Sequence, residues 1–209
     1  MRIEELVVLR SDGLTTIPFH PRLTMLAGLS AADRIELVDT VHRAMNGADT
    51  ATELHYQDEY GRSLVVRRSG GRRRVSTAQR GAAGTMPLPG PADLPRITHI
   101  KAADLGVRLD SHGDAVEVPS VPTIVERLIG WMGRARNAGG RGQNSLAVLD
   151  EPLRGLDAQA TADVLDAIER LSDMVQTVYL TADTTITGWA DQVCREGRMS
   201  LQGVPVLSR

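Results

Sequence analysis

Two adjacent carboxylates, Asp150 and Glu151, come directly after a short apolar run and are the residues best placed for chemistry. The run at 145–149 (SLAVL) is typical of a buried β-strand, and in an open α/β sheet the carboxyl ends of the strands face the ligand crevice. There Asp150 could hold a magnesium-bound water and Glu151 could polarise an attacking water. The alternative is structural: the two carboxylates, followed by Pro152, hold the turn after the strand through hydrogen bonds.

The run from Leu146 to Asp157 (LAVLDEPLRGLD) resembles the Walker B motif and D-loop of ABC-type ATPases. The segments after it resemble the family's switch region (TAD at 181–183) and its closing segment, so the likeness covers about the last 65 residues. The resemblance implies an ABC-ATPase-like head of the SMC/RecF kind. In such a head Asp150 would bind magnesium, Glu151 would be the catalytic residue and Asp157 would contact nucleotide. The alternative is an acidic strand end in an unrelated α/β domain.

The same resemblance implies a phosphate-binding loop, G-x-x-x-x-G-K-[ST], between an early strand and a helix. Gly28 matches the first glycine, but Asp33, Arg34 and Ile35 stand at the last glycine, the lysine and the magnesium-binding Ser/Thr. Glycines let the backbone curl around phosphate, and Ile35 has no oxygen for a metal; Arg34 keeps the positive charge on a larger, planar fork. The nucleotide site is therefore predicted to be degenerate and weak, with neither ATP nor Mg²⁺ as a normal cofactor; its candidate residues are Gly28, Ser30, Arg34, Asp150 and Asp157.

Ser30 and Asp33 have the spacing of a helix capping box. A carboxylate at the third helical position satisfies the free amides and the positive end of the helix dipole. Our hypothesis is that Asp33 supplies internally the anion that ATP would supply in an active relative. The alternative is an ordinary capped helix that never bound nucleotide in any ancestor.

Two further family landmarks are altered. The signature turn before the helix predicted at 122–136 reads VPSVP, where Ser120 is flanked by prolines that fix φ and remove amide donors. The switch histidine falls at Ala182, which cannot sense a γ-phosphate.

Periodicity and turn signals supply the elements that must position these residues. We expect strands at 2–10, 14–19, 22–27, 52–57, 62–68, 72–77, 145–149 and 176–180, short strands within 97–118, and helices at 31–45, 122–136, 158–171 and 185–190. A closing hairpin is expected to turn at 196–197, with Cys194 in a strand. The predicted fold is a single α/β head over 1–209: a mixed sheet with flanking helices and an N-terminal antiparallel subsheet. We divide it into an N-terminal lobe (1–77), a flexible linker (78–95) and a C-terminal lobe (96–209).

Arginines crowd the hairpins between 62 and 80, and phosphate backbones attract such clusters; the candidates for nucleic-acid contact are Arg67, Arg68, Arg72, Arg73 and Arg74. The alternative is an edge sheet whose solvated charges guard against aggregation. The net charge of −2 favours that alternative.

Composition excludes several kinds of protein and of site. A single cysteine excludes an internal disulfide, and the five histidines lack metal-ligand spacing. No long apolar stretch is present, and MRIEELVVLR carries charges where a signal peptide needs its apolar run. A cytoplasmic protein without a membrane partner is expected.

Three functions remain open. The chain is a non-hydrolysing head that works as a structural or regulatory module by pairing with itself or another head; or a weak ATPase using Arg34, Asp150 and Glu151, completed by a partner; or a DNA-associated protein using the arginine hairpins.

Overall fold

The computed structural model describes residues 2–10, 13–46, 51–58, 60–69, 72–77, 96–138, 145–184 and 186–203. Within them the strands are β1 (Arg2–Arg10), β2 (Gly13–Pro18), β3 (Leu23–Ala27), β4 (Thr52–Gln57), β5 (Ser63–Ser69), β6 (Arg72–Thr77), β7 (Arg96–Lys101), β8 (Arg108–Leu109), β9 (Ala115–Glu117), β10 (Ser145–Asp150), β11 (Gln176–Leu180) and β12 (Met199–Gly203). The helices are α1 (Ala31–Asn46), α2 (Val121–Ala138), α3 (Ala158–Leu171) and α4 (Thr187–Arg195), and a 3₁₀ helix spans Ala102–Leu105.

Five strands form an antiparallel sheet in the order β2-β1-β4-β5-β6. Its middle strand, β4, alternates between buried and half-buried positions, because successive side chains of a strand point to opposite faces. Leu6, Leu54 and Val66 lie side by side across three strands and are fully buried. They belong to the same core cluster as the apolar side of α1.

A second sheet, in the order β12-β3-β11-β10-β7, contains only parallel pairings. Its central strands are mostly apolar and are buried along nearly their whole length, as expected for strands that are covered on both faces. Leu26 and Val148 pack into the cluster that includes α1, whereas Met25 and Leu149 pack into the cluster that includes α2, α3 and α4. Because β3, β11 and β10 run parallel, their carboxyl ends meet at one edge of the sheet, beside the start of α1.

One glutamine joins the two sheets. The side chain of Gln176, the first residue of β11, accepts a hydrogen bond from Ile3 N at 2.8 Å and donates one to Ile3 O at 2.7 Å. It also donates to His20 O at 3.0 Å. The amide thus bonds to Ile3 of β1 as a neighbouring strand would.

The predicted fold class is confirmed: the molecule is α/β, with an N-terminal antiparallel sheet and helices flanking a parallel one. The predicted division into lobes stays a prediction. Strand β3, from the first 77 residues, pairs on both sides with strands from the last third of the chain. The predicted linker at 78–95 lies outside the described residues.

The closing hairpin was predicted wrongly. Cys194 lies in α4, which runs to Arg195, and β12 pairs in parallel with β3 rather than antiparallel with a preceding strand. The apolar side chains of Ala190 and Val193 are three residues apart and both buried, which is helical spacing. Helix α2 is also longer than predicted, since it includes Asn137 and Ala138.

Among the described helices, none is both long enough and apolar enough to cross a lipid bilayer.

Candidate functional site

The connection from β3 to α1 is three residues long, where a phosphate-binding loop is predicted. Gly28 turns the chain with φ +77°, a conformation that favours glycine. Leu29 N then donates to Thr181 O at 3.0 Å, and α1 begins at Ala31. Asp33 and Arg34, at the positions of the motif's last glycine and lysine, therefore lie inside the helix, and the backbone from Ala31 onward is not an open loop.

The start of α1 carries reciprocal hydrogen bonds between Ser30 and Asp33. Asp33 N donates to Ser30 Oγ at 3.2 Å, and Ser30 N donates to Asp33 Oδ2 at 3.2 Å. The Ser30 hydroxyl also donates to the same carboxylate oxygen at 2.6 Å. The Asp33 residue is only 5% exposed, so this carboxylate occupies the helix end from within the fold. That it replaces a phosphate stays a prediction.

The side chain of Arg34 reaches from the first turn of α1 to the acidic strand end, which consists of Asp150, the last residue of β10, and Glu151. Its Nε donates to Asp150 Oδ1 at 2.6 Å, and its Nη1 donates to Leu29 O at 3.0 Å. The same Nη1 lies 3.3 Å from Glu151 Oε1. With Arg34 8% exposed, this is a largely buried cation shared between the two carboxylates that the sequence predicts for magnesium and for water.

Asp150 has a second basic neighbour, His99 of β7. The buried His99 Nε2 lies 3.5 Å from Asp150 Oδ2, at the outer limit of a hydrogen bond. Burial raises the pKa of Asp150, but the contacts with His99 and Arg34 and the charge of Arg34 outweigh it and hold the pKa below its ordinary value. The carboxylate is therefore kept charged by protein groups alone.

Glu151 is held against the switch segment. Its backbone has φ +48°, which is uncommon for a residue other than glycine. Its Oε1 accepts a hydrogen bond from Ala182 N and lies 3.4 Å from Thr181 Oγ1, which donates to it. An oxygen that already contacts Arg34, Thr181 and Ala182 is poorly placed to accept a proton from an attacking water.

Of the remaining residues at the predicted nucleotide site, two make local hydrogen bonds and one is exposed. Asp157 is the N-cap of α3, and its Oδ1 accepts from Ala160 N at 2.8 Å. Ser120 precedes α2, and its hydroxyl is 2.9 Å from Thr123 Oγ1. Ile35 is 61% exposed and offers no metal ligand.

The predicted arginine patch lies on β5 and β6, the last two strands of the antiparallel sheet. Arg67 and Arg74 are directly opposite each other across the strand pair, as are Arg68 and Arg73, while Arg72 pairs with Ser69. Arg67 Nη1 lies 3.6 Å from Glu53 Oε1 on β4. Like charges directly opposite each other across a strand pair are destabilising, and Glu53 offsets part of the charge of Arg67.

The sequence alone missed three contributors: His99, Thr181 and Leu29. His99 comes to Asp150 because β7 pairs with β10, a neighbour relation that local patterns do not specify. Leu29 takes part through its backbone groups, which have no signature in residue type. Thr181 takes part through its backbone carbonyl and its hydroxyl, and it reaches Glu151 because β11 pairs with β10.

Comparison with known proteins gives a fold and no sequence family. No protein-family model matches the chain, and no curated protein resembles it significantly in sequence. The SMC head domain from Thermotoga maritima is similar in structure with a TM-score of 0.54 at 11% identity, over 90% of this chain and 92% of that chain. An SmcHead solved in complex with the C-winged helix domain of ScpA has a TM-score of 0.55 at 12% identity, over 90% and 92% of the two chains. The fold is therefore that of an SMC head domain.

Proposed function

We propose that this chain, which has the fold of an SMC-type ATPase head, is a degenerate head whose nucleotide site is replaced by internal contacts. It works as a structural or regulatory module by pairing with a second copy or with another head. It neither needs nor hydrolyses ATP. We expect it to act in the cytoplasm.

The observation that carries this proposal is the position of Arg34. In the P-loop motif a lysine at this place reaches the β- and γ-phosphates. Here the guanidinium turns onto Asp150 and Glu151 at 2.6 and 3.3 Å. A triphosphate would have to break a largely buried ion pair before Arg34 could reach it, and the two carboxylates would then repel the phosphate.

The residues present do not fit Mg²⁺ and ATP. Magnesium prefers hard oxygen ligands in octahedral geometry, and Ile35 supplies none at the motif's Ser/Thr position. Phosphate binding at a helix end needs free backbone amides, and Asp33 N is already bonded to Ser30 Oγ. The site therefore supports no hydrolytic step.

Pairing is the part of the proposal that concerns partners. The similar SmcHead was solved with a bound protein domain, which supports a protein-binding role for a module of this fold. In this chain the hairpin β8–β9 covers the D-loop: a Cβ on Gly155 would lie 2.1 Å from Ala115 Cβ. The same hairpin exposes Leu109 and Val116. We infer that a partner contacts this hairpin and that pairing proceeds without nucleotide.

Two measurements test the proposal. Calorimetric titration with Mg·ATP is expected to give no heat of binding at millimolar nucleotide, for the native protein and for the control variant Arg43→Ala, which removes an exposed arginine of the same helix. Sedimentation velocity is expected to show the same state of association with and without Mg·ATP, and weaker association for Val116→Glu. Tight, magnesium-dependent binding that is lost in Arg34→Ala would refute the degenerate site, and pairing that requires ATP would refute the mode of assembly.

A partner-completed ATPase is the second candidate. It is favoured by one observation: Asp150 and Glu151 stand side by side at the carboxyl end of β10, at the edge where α1 begins. A partner that drew Arg34 away would free Asp150 to bind Mg²⁺ and Glu151 to polarise a water. Turnover that appears with a partner and is lost in Glu151→Gln would select this function.

Association with DNA is the third candidate, and it is favoured by the cross-strand arginine pairs of β5 and β6. Binding through phosphates weakens steeply as salt rises. Salt-dependent binding of duplex DNA that is abolished by Arg72→Glu, Arg73→Glu and Arg74→Glu together would support it. Unchanged binding in that variant would remove it.

A further inference from the structure

A second concave site lies at the opposite edge of the parallel sheet. The amino ends of β3, β10 and β11 and the last turn of α2 enclose a cleft of about 480 Å³. Its walls include Arg2, Arg22, Arg136, Ser145 and Gln176. Since Asp150 is at the carboxyl end of the same sheet, this cleft is separate from the site described above and does not depend on the proposed function.

The cleft is positively charged. Three of its wall residues are arginines, and Asp173 is its acidic one. Arg22 is already neutralised, because it contacts Glu169 at 2.7 Å and Asp173 at 2.6 Å. Arg2 and Arg136 are exposed at the rim, and neither forms an ion pair within the described part of the chain. Two guanidinium groups therefore remain available to a ligand.

A buried hydroxyl in the wall also lacks a partner. Ser145, the first residue of β10, is 6% exposed, and its Oγ makes no hydrogen bond within the described structure. A buried hydroxyl without a hydrogen bond is costly, so such groups call for an explanation. A ligand oxygen that enters the cleft, with a small shift of its wall, would supply the missing partner.

Hydrogen bonds among the wall residues and their neighbours hold the cleft in shape. Gln176 fixes both backbone groups of Ile3, the residue next to Arg2, and also bonds to His20 O. Arg22 N donates to His20 Nδ1 at 3.2 Å. A wall of this kind loses little freedom when a ligand binds, which favours affinity.

We propose that this cleft binds a compact oxyanion, the phosphate or carboxylate group of a small molecule. Arg2 and Arg136 pair with the negative charge, and Ser145 Oγ donates to one of its oxygens. Guanidinium groups match both anions because they present parallel N–H donors. The volume lies within the range of small-molecule sites, about 300–1,000 Å³.

His20 provides an internal reporter of occupancy. Burial lowers the pKa of His20, and the charges of Arg22 and Arg2 lower it further, while a backbone hydrogen bond to Gly197 opposes them. An anion beside Arg2 offsets the positive charge, so binding raises the pKa of His20. His112, in the exposed turn between β8 and β9, serves as the internal control.

The test uses the full chain and three probes: inorganic phosphate, glycerol phosphate and succinate. Binding is followed by calorimetry and by NMR titration of the histidine ring signals. The double variant Arg2→Gln, Arg136→Gln is expected to weaken binding by about a hundredfold, roughly tenfold for each charged hydrogen bond lost. Arg195→Gln removes an exposed arginine of α4 and is expected to leave binding unchanged. Ser145→Ala is expected to weaken binding severalfold without lowering the melting temperature.

Each outcome of these titrations either supports or overturns the proposal. Saturable binding of the two phosphates alone identifies a phosphate site, and binding of succinate alone identifies a carboxylate site; each supports the proposal if the double variant loses it and the His20 pKa rises. No saturable binding of any probe overturns the proposal. Binding that the double variant retains, or that leaves the His20 pKa where it was, overturns it as well.

Discussion

The substitution Arg34→Met tests the internal ion pair most directly. Methionine keeps an unbranched apolar stem of similar length and removes only the guanidinium that Asp150 and Glu151 share. Both carboxylates then remain in a largely buried site without their cation. The variant is therefore expected to be less stable at neutral pH, although it loses few packing contacts.

The size of this loss in stability depends on how deeply the two carboxylates are buried. Removing one member of a buried ion pair destabilises a protein by about 3–5 kcal/mol. Because the Asp150 and Glu151 side chains keep 15% and 17% of their surface exposed, we expect about 2–3 kcal/mol here. For a domain of this size that corresponds to a fall in melting temperature of about 4–12 °C.

The pH dependence gives the prediction a second readout. The pKa of Asp150 is lower in the folded protein than its ordinary value, so this carboxylate stabilises the fold above its unfolded pKa, near 4. That contribution is lost as the pH falls through the folded pKa. Without Arg34 the pKa of Asp150 rises, so protonation relieves the variant earlier. The difference in stability between native protein and variant should therefore shrink from pH 7 to pH 4.

Urea denaturation at several pH values measures both quantities. The matched control is Arg43→Met, on the same helix, whose partner Glu36 lies 2.7 Å away with both side chains about half exposed. Such a pair contributes about 0–0.5 kcal/mol. If Arg34→Met costs no more than this control, or if its cost does not change between pH 7 and pH 4, then Arg34 does not neutralise the acidic strand end.

Three further predictions concern stability. Glu169→Gln should lower the free energy of unfolding by about 3 kcal/mol in urea, because Glu169 is 4% exposed and contacts two arginines at 2.7 and 3.0 Å; a loss below 1 kcal/mol would show that the network is dispensable. Gly155→Ala should cost about 1–3 kcal/mol more than Gly61→Ala, since both have positive φ but only the added Cβ at Gly155 meets strand β9; equal melting temperatures would contradict that contact. Ser30→Ala should cost about 1 kcal/mol, and Asp33→Ala added to it should cost less than the sum, because the two residues share one set of hydrogen bonds; strict additivity in a double-mutant cycle would argue against the cap.

Local features were predictable from the sequence, and contacts between distant segments were not. Ser30 and Asp33 are three residues apart, so their hydrogen-bonding geometry is a property of the start of a helix. The ion pair of Arg34 with Asp150 joins residues 116 apart. It depends on the placement of β3 and β10 on either side of β11, which no local pattern states.

The error at the end of the chain has a similar cause. A short apolar segment before Glu196–Gly197 is compatible with a strand or with a helix, and periodicity alone does not separate the two. The pairing of β12 decides between them. The consecutive strands β11 and β12 both pair in parallel with β3, one on each side, so the segment between them is a crossover and not a hairpin. Cys194 is consequently a helical residue.

The location of β3 constrains the order of assembly. This strand is made early in synthesis, yet both of its hydrogen-bonded neighbours, β11 and β12, belong to the last third of the chain. A nascent polypeptide that ends before Gln176 thus contains the strand Leu23–Ala27 but neither of the two strands that pair with it. We expect such truncated products to aggregate or to need a chaperone, and the complete protein to fold slowly for its size, because closing loops of about 150 residues precedes any gain from pairing.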